Sequence, residues 1–142
     1  MNYNTLSLKL TFYLLLMFGS SIVSAFEPKR IIGFWSLLPS SPNVANIIEI
    51  DDKKQATFYT MTCSAETQSF QIDHQEKLDF DIDSNNIISF YEKNHSPKKS
   101  FQILALTPYE MKLTHFPNEP IHLEEVYIRK EHLEPNCIDS MP

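Results

Sequence analysis

The chain has 142 residues, 42% of them hydrophobic and 21% charged, with a formal net charge of −6. This length suits one domain with one hydrophobic core. The basic residues form no long run, and the overall charge is acidic. This argues against binding to nucleic acid or to an anionic membrane surface, both of which need a basic footprint.

The first 25 residues are typical of a cleavable signal peptide. Lys9 precedes an uncharged run from residue 10 to residue 23, and Val23-Ser24-Ala25 places small residues before a cleavage point. An uncleaved anchor needs about 20 apolar residues, and this run is shorter and interrupted at Gly19. We therefore predict a mature protein that begins near Phe26, is secreted or periplasmic, and has no stable membrane insertion.

Residues 26–142 form the predicted single domain, which ends in a C-terminal tail. Loss of Lys9 with the leader lowers the formal charge from −6 to −7. Both cysteines, Cys63 and Cys137, lie in this part. Export favours one disulfide between them. Two free thiols, or a bridge to another chain, are the alternatives.

Short runs of β-branched and aromatic residues, separated by Asn, Asp, Ser and Pro, predict an all-β domain. The alternation is clearest from Leu78 to Asp83, where apolar residues alternate with aspartates. The nine predicted strands are Ile31–Leu38, Asn46–Asp51, Gln55–Cys63, Ser69–Asp73, Lys77–Asp83, Ile87–Lys93, Ser100–Leu106, Met111–Phe116 and Ile121–Lys130. His74-Gln75-Glu76 is interpreted as a hairpin turn, and Val44–Ile50 as a strand region that could instead form a short helix.

Close spacing and tight turns favour an antiparallel up-and-down β-barrel of about eight strands. An open meander would leave two unpaired edges in water, and closure removes them. A barrel of this size holds side chains or one small ligand. A β-sandwich is the alternative, but it needs crossover loops longer than those seen here.

Gly33 and Trp35 form a Gly-x-Trp motif at the start of the first strand. Gly33 is the only glycine after the leader, and Trp35 is the only tryptophan. The motif and the strand spacing over residues 31–130 resemble the lipocalins, in particular the small bacterial lipocalin-like domains. The resemblance implies that Trp35 closes one barrel end, with Arg129 of the last strand stacked on it. A bridge from the barrel wall to the C-terminal tail, as Cys63 and Cys137 would form, is also common among lipocalins.

Aromatic and aliphatic residues are predicted to face the interior: Phe58, Phe70, Phe80, Phe90, Phe101, Ile103 and Leu113. We assign ligand binding to Phe58, Phe80, Phe90, Tyr127 and Arg129, with a filled core as the alternative. Tyr127 and Arg129 share one face of the last strand. If both face inward, they could bind the carboxylate of a ligand. If they face outward, Arg129 caps Trp35. Glu124-Glu125 interrupts the alternation and suggests a bulge.

No motif of a catalytic, cofactor or metal site is present. The five histidines form none of the common zinc spacings, although His115 and His122 could face each other across a turn. No nucleophile elbow is found, so we predict a protein that is not an enzyme.

Two functions remain. The first is binding of a small apolar or amphipathic molecule inside the barrel. The alternative is an interaction protein or inhibitor with a filled core, whose acidic surface docks a basic protein partner. A cavity of several hundred Å3 would distinguish the first from the second.

Overall fold

A computed structural model describes residues 28–39, 41, 43–64, 69–92, 96–115 and 123–136. A short 3-10 helix, η1, covers Pro28–Ile31. Within the described residues, eight strands follow: β1 Gly33–Leu37, β2 Val44–Ile50, β3 Gln55–Ser64, β4 Ser69–Ile82, β5 Ile87–Tyr91, β6 Lys99–Leu106, β7 Glu110–His115 and β8 Glu124–Lys130. Among these residues no helix is long and apolar enough to cross a bilayer.

The strands form one closed antiparallel barrel in chain order, with β1 pairing to both β2 and β8. This confirms the predicted fold class. Each strand sends alternate residues inward, as the two-residue period of a strand requires. The inward residues build one hydrophobic core that includes Trp35, Ile48, Leu78, Phe90 and Tyr127.

Two of the hairpins use the same turn chemistry. Asp51 Oδ1 accepts the backbone N–H groups of Lys53 at 2.8 Å and Gln55 at 2.9 Å, and Lys54 has φ of 61°. At the β4–β5 turn, Asp83 accepts the corresponding backbone hydrogen bonds, as Asp51 does, and Asn86 has the positive φ that Lys54 has. An aspartate that bonds the backbone beyond it stabilises such turns, and this explains why both hairpins were detectable in the sequence.

The predicted turn at His74-Gln75-Glu76 is wrong, because β4 is one strand of 14 residues. Its first half is exposed on both faces, and its alternating residues Phe70 and Ile72 lie on the outer face. The register with β3 shifts between Thr60 and Met61, leaving Asp73 without an opposite residue. Beyond this bulge the inward and outward positions of β4 are exchanged. The sequence pattern therefore does not indicate one continuous strand.

Val44–Ile50 is a strand, which confirms the strand predicted there and excludes the alternative of a short helix. Two other expectations also need correction. Phe70 is 44% exposed and lies on the outer face, opposite Cys63, instead of lining the interior. The pairing of β7 with β8 runs through Glu124 and Glu125 without a register shift, so no bulge is present there. The second bulge lies in β6, between Ile103 and Ala105.

The chain beyond β8 lies against the outer face of β1. The backbone N–H of Asn136 donates to Ser36 Oγ at 2.9 Å, and Ser36 is fully buried. Neighbouring outward residues Ala45, Ile47 and Met61 are also buried. The outer wall over β1, β2 and β3 is therefore covered, while most of β4 is exposed.

We predict that Trp35→Ala lowers the free energy of unfolding by about 3–5 kcal/mol. Trp35 is fully buried and its indole N–H donates to the Ile31 carbonyl at 2.6 Å. Urea unfolding followed by circular dichroism measures the change, since Trp35 is the only tryptophan and its fluorescence is lost with it. Phe70→Ala, which truncates an exposed aromatic, is the control and should change stability by less than about 0.5 kcal/mol. An equal decrease in the free energy of unfolding for the two variants would contradict the burial of Trp35 in the core.

Candidate functional site

At the end away from Trp35, the described residues surround a cavity of about 630 Å3. We call this cavity the cup. Its apolar wall and floor come from five inward residues of five strands: Leu37, Ile48, Phe58, Phe101 and Tyr127. Its polar groups come from the ends of the same sheet: Asn46, Thr60, Lys98, Lys99, His115 and Glu125. The cup thus has an apolar base and a polar ring.

An aromatic cluster fills the barrel below the cup. Phe90 is fully buried and its ring meets Phe58 edge to face, with centroids 4.9 Å apart. Phe101 and Phe80 also pack against it, at 6.2 and 6.3 Å. Such edge contacts add to the free energy gained from burial. This cluster gives the cup a rigid floor.

One side of the polar ring is an ion-pair cluster around Glu76, which faces inward opposite Phe58. Glu76 pairs with Lys98, and with Lys99 at 3.3 Å; Lys98 also pairs with Glu92 at 3.0 Å. The hydrogen bond from Lys98, together with Lys99, holds the pKa of Glu76 below its ordinary value of 4.5. The Lys99 ammonium also lies 4.2 Å from the centre of the Phe58 ring.

The opposite side of the ring is built around Glu125. Tyr127 donates its hydroxyl proton to Glu125 Oε2 at 2.6 Å, and His115 Nε2 lies 3.2 Å from Glu125 Oε1. Burial, reinforced by the Glu125 charge, raises the pKa of Tyr127 far above its ordinary value. The phenol therefore remains a neutral hydrogen-bond donor. The His115 ring packs against the Phe101 ring at a tilt of 58°, with the centroids 4.7 Å apart.

Gly33, Trp35 and Arg129 lie together at the closed end. The Arg129 guanidinium is 5.0 Å from the centre of the Trp35 ring and donates to the carbonyls of Ile32 and Arg30, the latter at 3.1 Å. Gly33 has φ of 138°, and a Cβ on it would lie 3.0 Å from an Arg129 nitrogen. Only glycine fits this approach without strain.

The residues predicted to bind a ligand are separated by the structure. Phe58 and Tyr127 line the cup. Phe90 lies below its floor, and Phe80 lies in the core. Arg129 is at the closed end, so it does not meet Tyr127 around a shared ligand although both face inward.

Sequence reasoning missed the polar ring. Three of its members lie two positions from an inward aromatic residue of the same strand. Thr60 comes two residues after Phe58, Lys99 two residues before Phe101, and Glu125 two residues before Tyr127. Extending the two-residue period past the last apolar position of each strand would have found them. Polar residues at strand ends resemble ordinary solvent-exposed residues, and this concealed them.

The cysteines and histidines are only partly described. Cys63 is buried, and no cysteine is free among the described residues. Cys137, His95 and His122 lie outside those residues, so the suggested pairing of His115 with His122 is not described. Of the other histidines, His132 lies 3.6 Å from Glu134. In the described part of the chain, no three His, Cys, Asp or Glu residues converge on a possible metal site.

Comparisons with known proteins add no relative. No protein-family model, no curated protein and no solved structure matches the chain. The function of the chain is therefore inferred from the cup and its residues.

We predict that Glu76→Gln makes stability less sensitive to acid. Because the pKa of Glu76 is lower in the folded than in the unfolded chain, its pairs stabilise the fold above about pH 4.5 and are lost as the pH falls through the folded-state pKa. When the pH is lowered from about 6 to about 3, the free energy of unfolding should fall by about 1 kcal/mol more in the unmodified protein than in this variant. Urea unfolding at several pH values measures this difference. Glu131→Gln, at an exposed site, is the control; equal slopes for all three proteins would contradict the prediction.

Proposed function

We propose that this chain is an exported, lipocalin-like binding protein that holds a small apolar or amphipathic molecule in the cup. The observation that carries the proposal is the cup itself, a cavity of about 630 Å3 with an apolar base. Ligand sites are typically concave, mostly apolar cavities of about 300–1,000 Å3 with a few placed polar groups. No catalytic role is proposed for these groups.

The cavity also favours ligand binding over the alternative of a filled barrel that docks a basic protein. Among the described residues, the core is packed from the closed end up to Phe90 and Phe101, and the cup lies above them. A docking protein has no need for such a cavity. The polar pairs of the ring are made within the chain, so a ligand would meet them already oriented.

Binding should be blocked by filling the cup. Thr60 lines the cup and its hydroxyl donates to Asn46 Oδ1 at 3.1 Å. We expect Thr60→Trp to weaken binding of the neutral fluorescent probe N-phenyl-1-naphthylamine by about tenfold or more, because the indole takes up the ligand's space. Thr57→Trp, on the outer face of the same strand, is the matched control and should bind like the unmodified protein. Equal affinity of all three proteins, or no binding to any, would overturn the proposal.

Export and the disulfide form the second part of the proposal. The leader of residues 1–25 is cleaved, and Cys63 pairs with Cys137. The buried position of Cys63 and the contact of Asn136 with the outer face of β1 support a tail held against the barrel wall. Such a long loop closure would stabilise the domain by about 4 kcal/mol in the chain-entropy model.

The mass of the denatured protein from its exporting host tests this second part. We expect a chain that begins at Phe26 and is lighter by two hydrogen atoms than the fully reduced form. Alkylation should modify both thiols only after reduction. An intact Met1 would rule out cleavage, and alkylation without reduction would rule out the disulfide.

A further inference from the structure

The charges around the cup are unevenly compensated. Lys98 and Lys99 are matched by the carboxylates of Glu76 and Glu92, so this cluster is neutral as a whole. Glu125 stands on the other side. Within the described residues it forms no ion pair with a lysine or arginine, and its partners are His115 and the hydroxyl of Tyr127.

The Tyr127 hydroxyl stabilises the Glu125 charge without cancelling it. Burial and the neighbouring carboxylate raise the pKa of Tyr127, so the phenol stays neutral and donates. His115 adds a positive charge only when it is protonated. Among the described residues, Lys98, Lys99 and Glu125 line the cup, and Glu76 and Glu92 pair with the two lysines. When His115 is neutral, these five side chains sum to one negative charge, carried by Glu125.

Glu125 is also free to accept further hydrogen bonds from a ligand. Each oxygen of its carboxylate has one partner, and an ionised carboxylate has about four acceptor positions. The side chain is 25% exposed, and it lines the cup. A donor inside the cavity would therefore reach an uncancelled negative charge.

The aromatic wall of the cup is suited to a cation as well. The Lys99 ammonium already lies over the Phe58 ring at 4.2 Å. Aromatic faces attract cations because of the negative potential above the ring. Phe101 is a second aromatic residue of the apolar base, and its ring lies beside His115.

We propose that the cup prefers a lipophilic organic cation, such as an amine with an apolar tail. The tail lies on the base formed by Ile48, Phe58 and Phe101, and the charged nitrogen lies beside Glu125. The negative net charge of the whole chain favours approach of a cation over that of an anion. This proposal rests on the proposed function, since it names the ligand class of the same cavity.

Three probes with the same ten-carbon tail test it: decylammonium, decanol and decanoate, each used below its micelle concentration. Isothermal titration at neutral pH measures their affinities for the disulfide-intact full domain. We expect the cation to bind about tenfold or more tightly than decanol, and decanoate to bind more weakly than both. Glu125→Gln should remove the preference for the cation over decanol, because glutamine keeps the size and still accepts from Tyr127 but carries no charge.

Glu124→Gln is the matched control, since Glu124 is the exposed neighbour on the other face of β8. It removes the same charge from the chain and should keep the preference. Decanoate binding tightest, or a preference that survives Glu125→Gln, would overturn the proposal. Equal binding of all three probes would overturn the cation preference and leave the proposed function standing, whereas no binding of any probe would overturn both.

Discussion

Closure of the barrel depends on the meeting of β1 and β8 around Trp35. The strand β1 has only five residues, yet it pairs on one side with β2 and on the other with β8. Arg129 strengthens this seam by reaching the carbonyl of Ile32, 97 positions earlier in the chain. Since Gly33 leaves room for the guanidinium, the first and last strands are tied at the same point where the indole fills the barrel. A ring without this seam would leave two open strand edges.

Sealing one end determines what the other end can do. Among the described residues, the core extends from Trp35 to the aromatic cluster around Phe90, and the cup lies beyond Phe101. Inward polar groups near this level would be costly if they were unpaired. They are paired: Thr60 with Asn46, Glu76 with two lysines, and Glu125 with Tyr127. Among the described residues, no buried side-chain polar atom lacks a partner.

The sequence was sufficient to predict the fold, because the barrel is built from local signals. Turn residues such as Asp51 and Asp83 mark the hairpins, and alternation at Leu78 and Phe80 orients the wall. It was insufficient where the alternation breaks. The bulge at Asp73 made β4 look like two strands, and it carried Phe70 to the outer face. A bulge shifts the register by one residue and reverses every side chain beyond it.

The candidate site was harder to predict for a different reason. Phe58 and Tyr127 were found because large aromatic residues on inward positions are conspicuous. The position of Arg129 at the sealed end, away from the cup, depends on its height along β8, which alternation does not encode. The acidic and basic residues of the ring become a site only when the ends of β6, β7 and β8 are brought together. Such convergence is a property of the closed barrel, and no single segment displays it.

The position of Glu76 connects the cup with the weakest part of the wall. The strand β4 pairs with β5 only from Asp79 to Ile82. Among the described strands, the stretch Phe70–Lys77 is therefore paired on the β3 side alone. Exposed strand edges invite pairing with other chains, and bulges, lysines and inward charges all oppose it. This stretch contains all three features: the bulge lies at Asp73, Lys77 is a lysine, and Glu76 is an inward charge.

Glu76 has a second effect at the same place. Its pairs with Lys98 and Lys99 join β4 to the start of β6 across the part of the wall that lacks ladder hydrogen bonds. Side chains thus complete the ring where the backbone does not. Because these pairs also compensate both lysines, Glu125 remains the carboxylate beside the cavity that has no lysine or arginine partner among the described residues. The same carboxylate that protects an open edge therefore helps to set the electrostatic character of the cup.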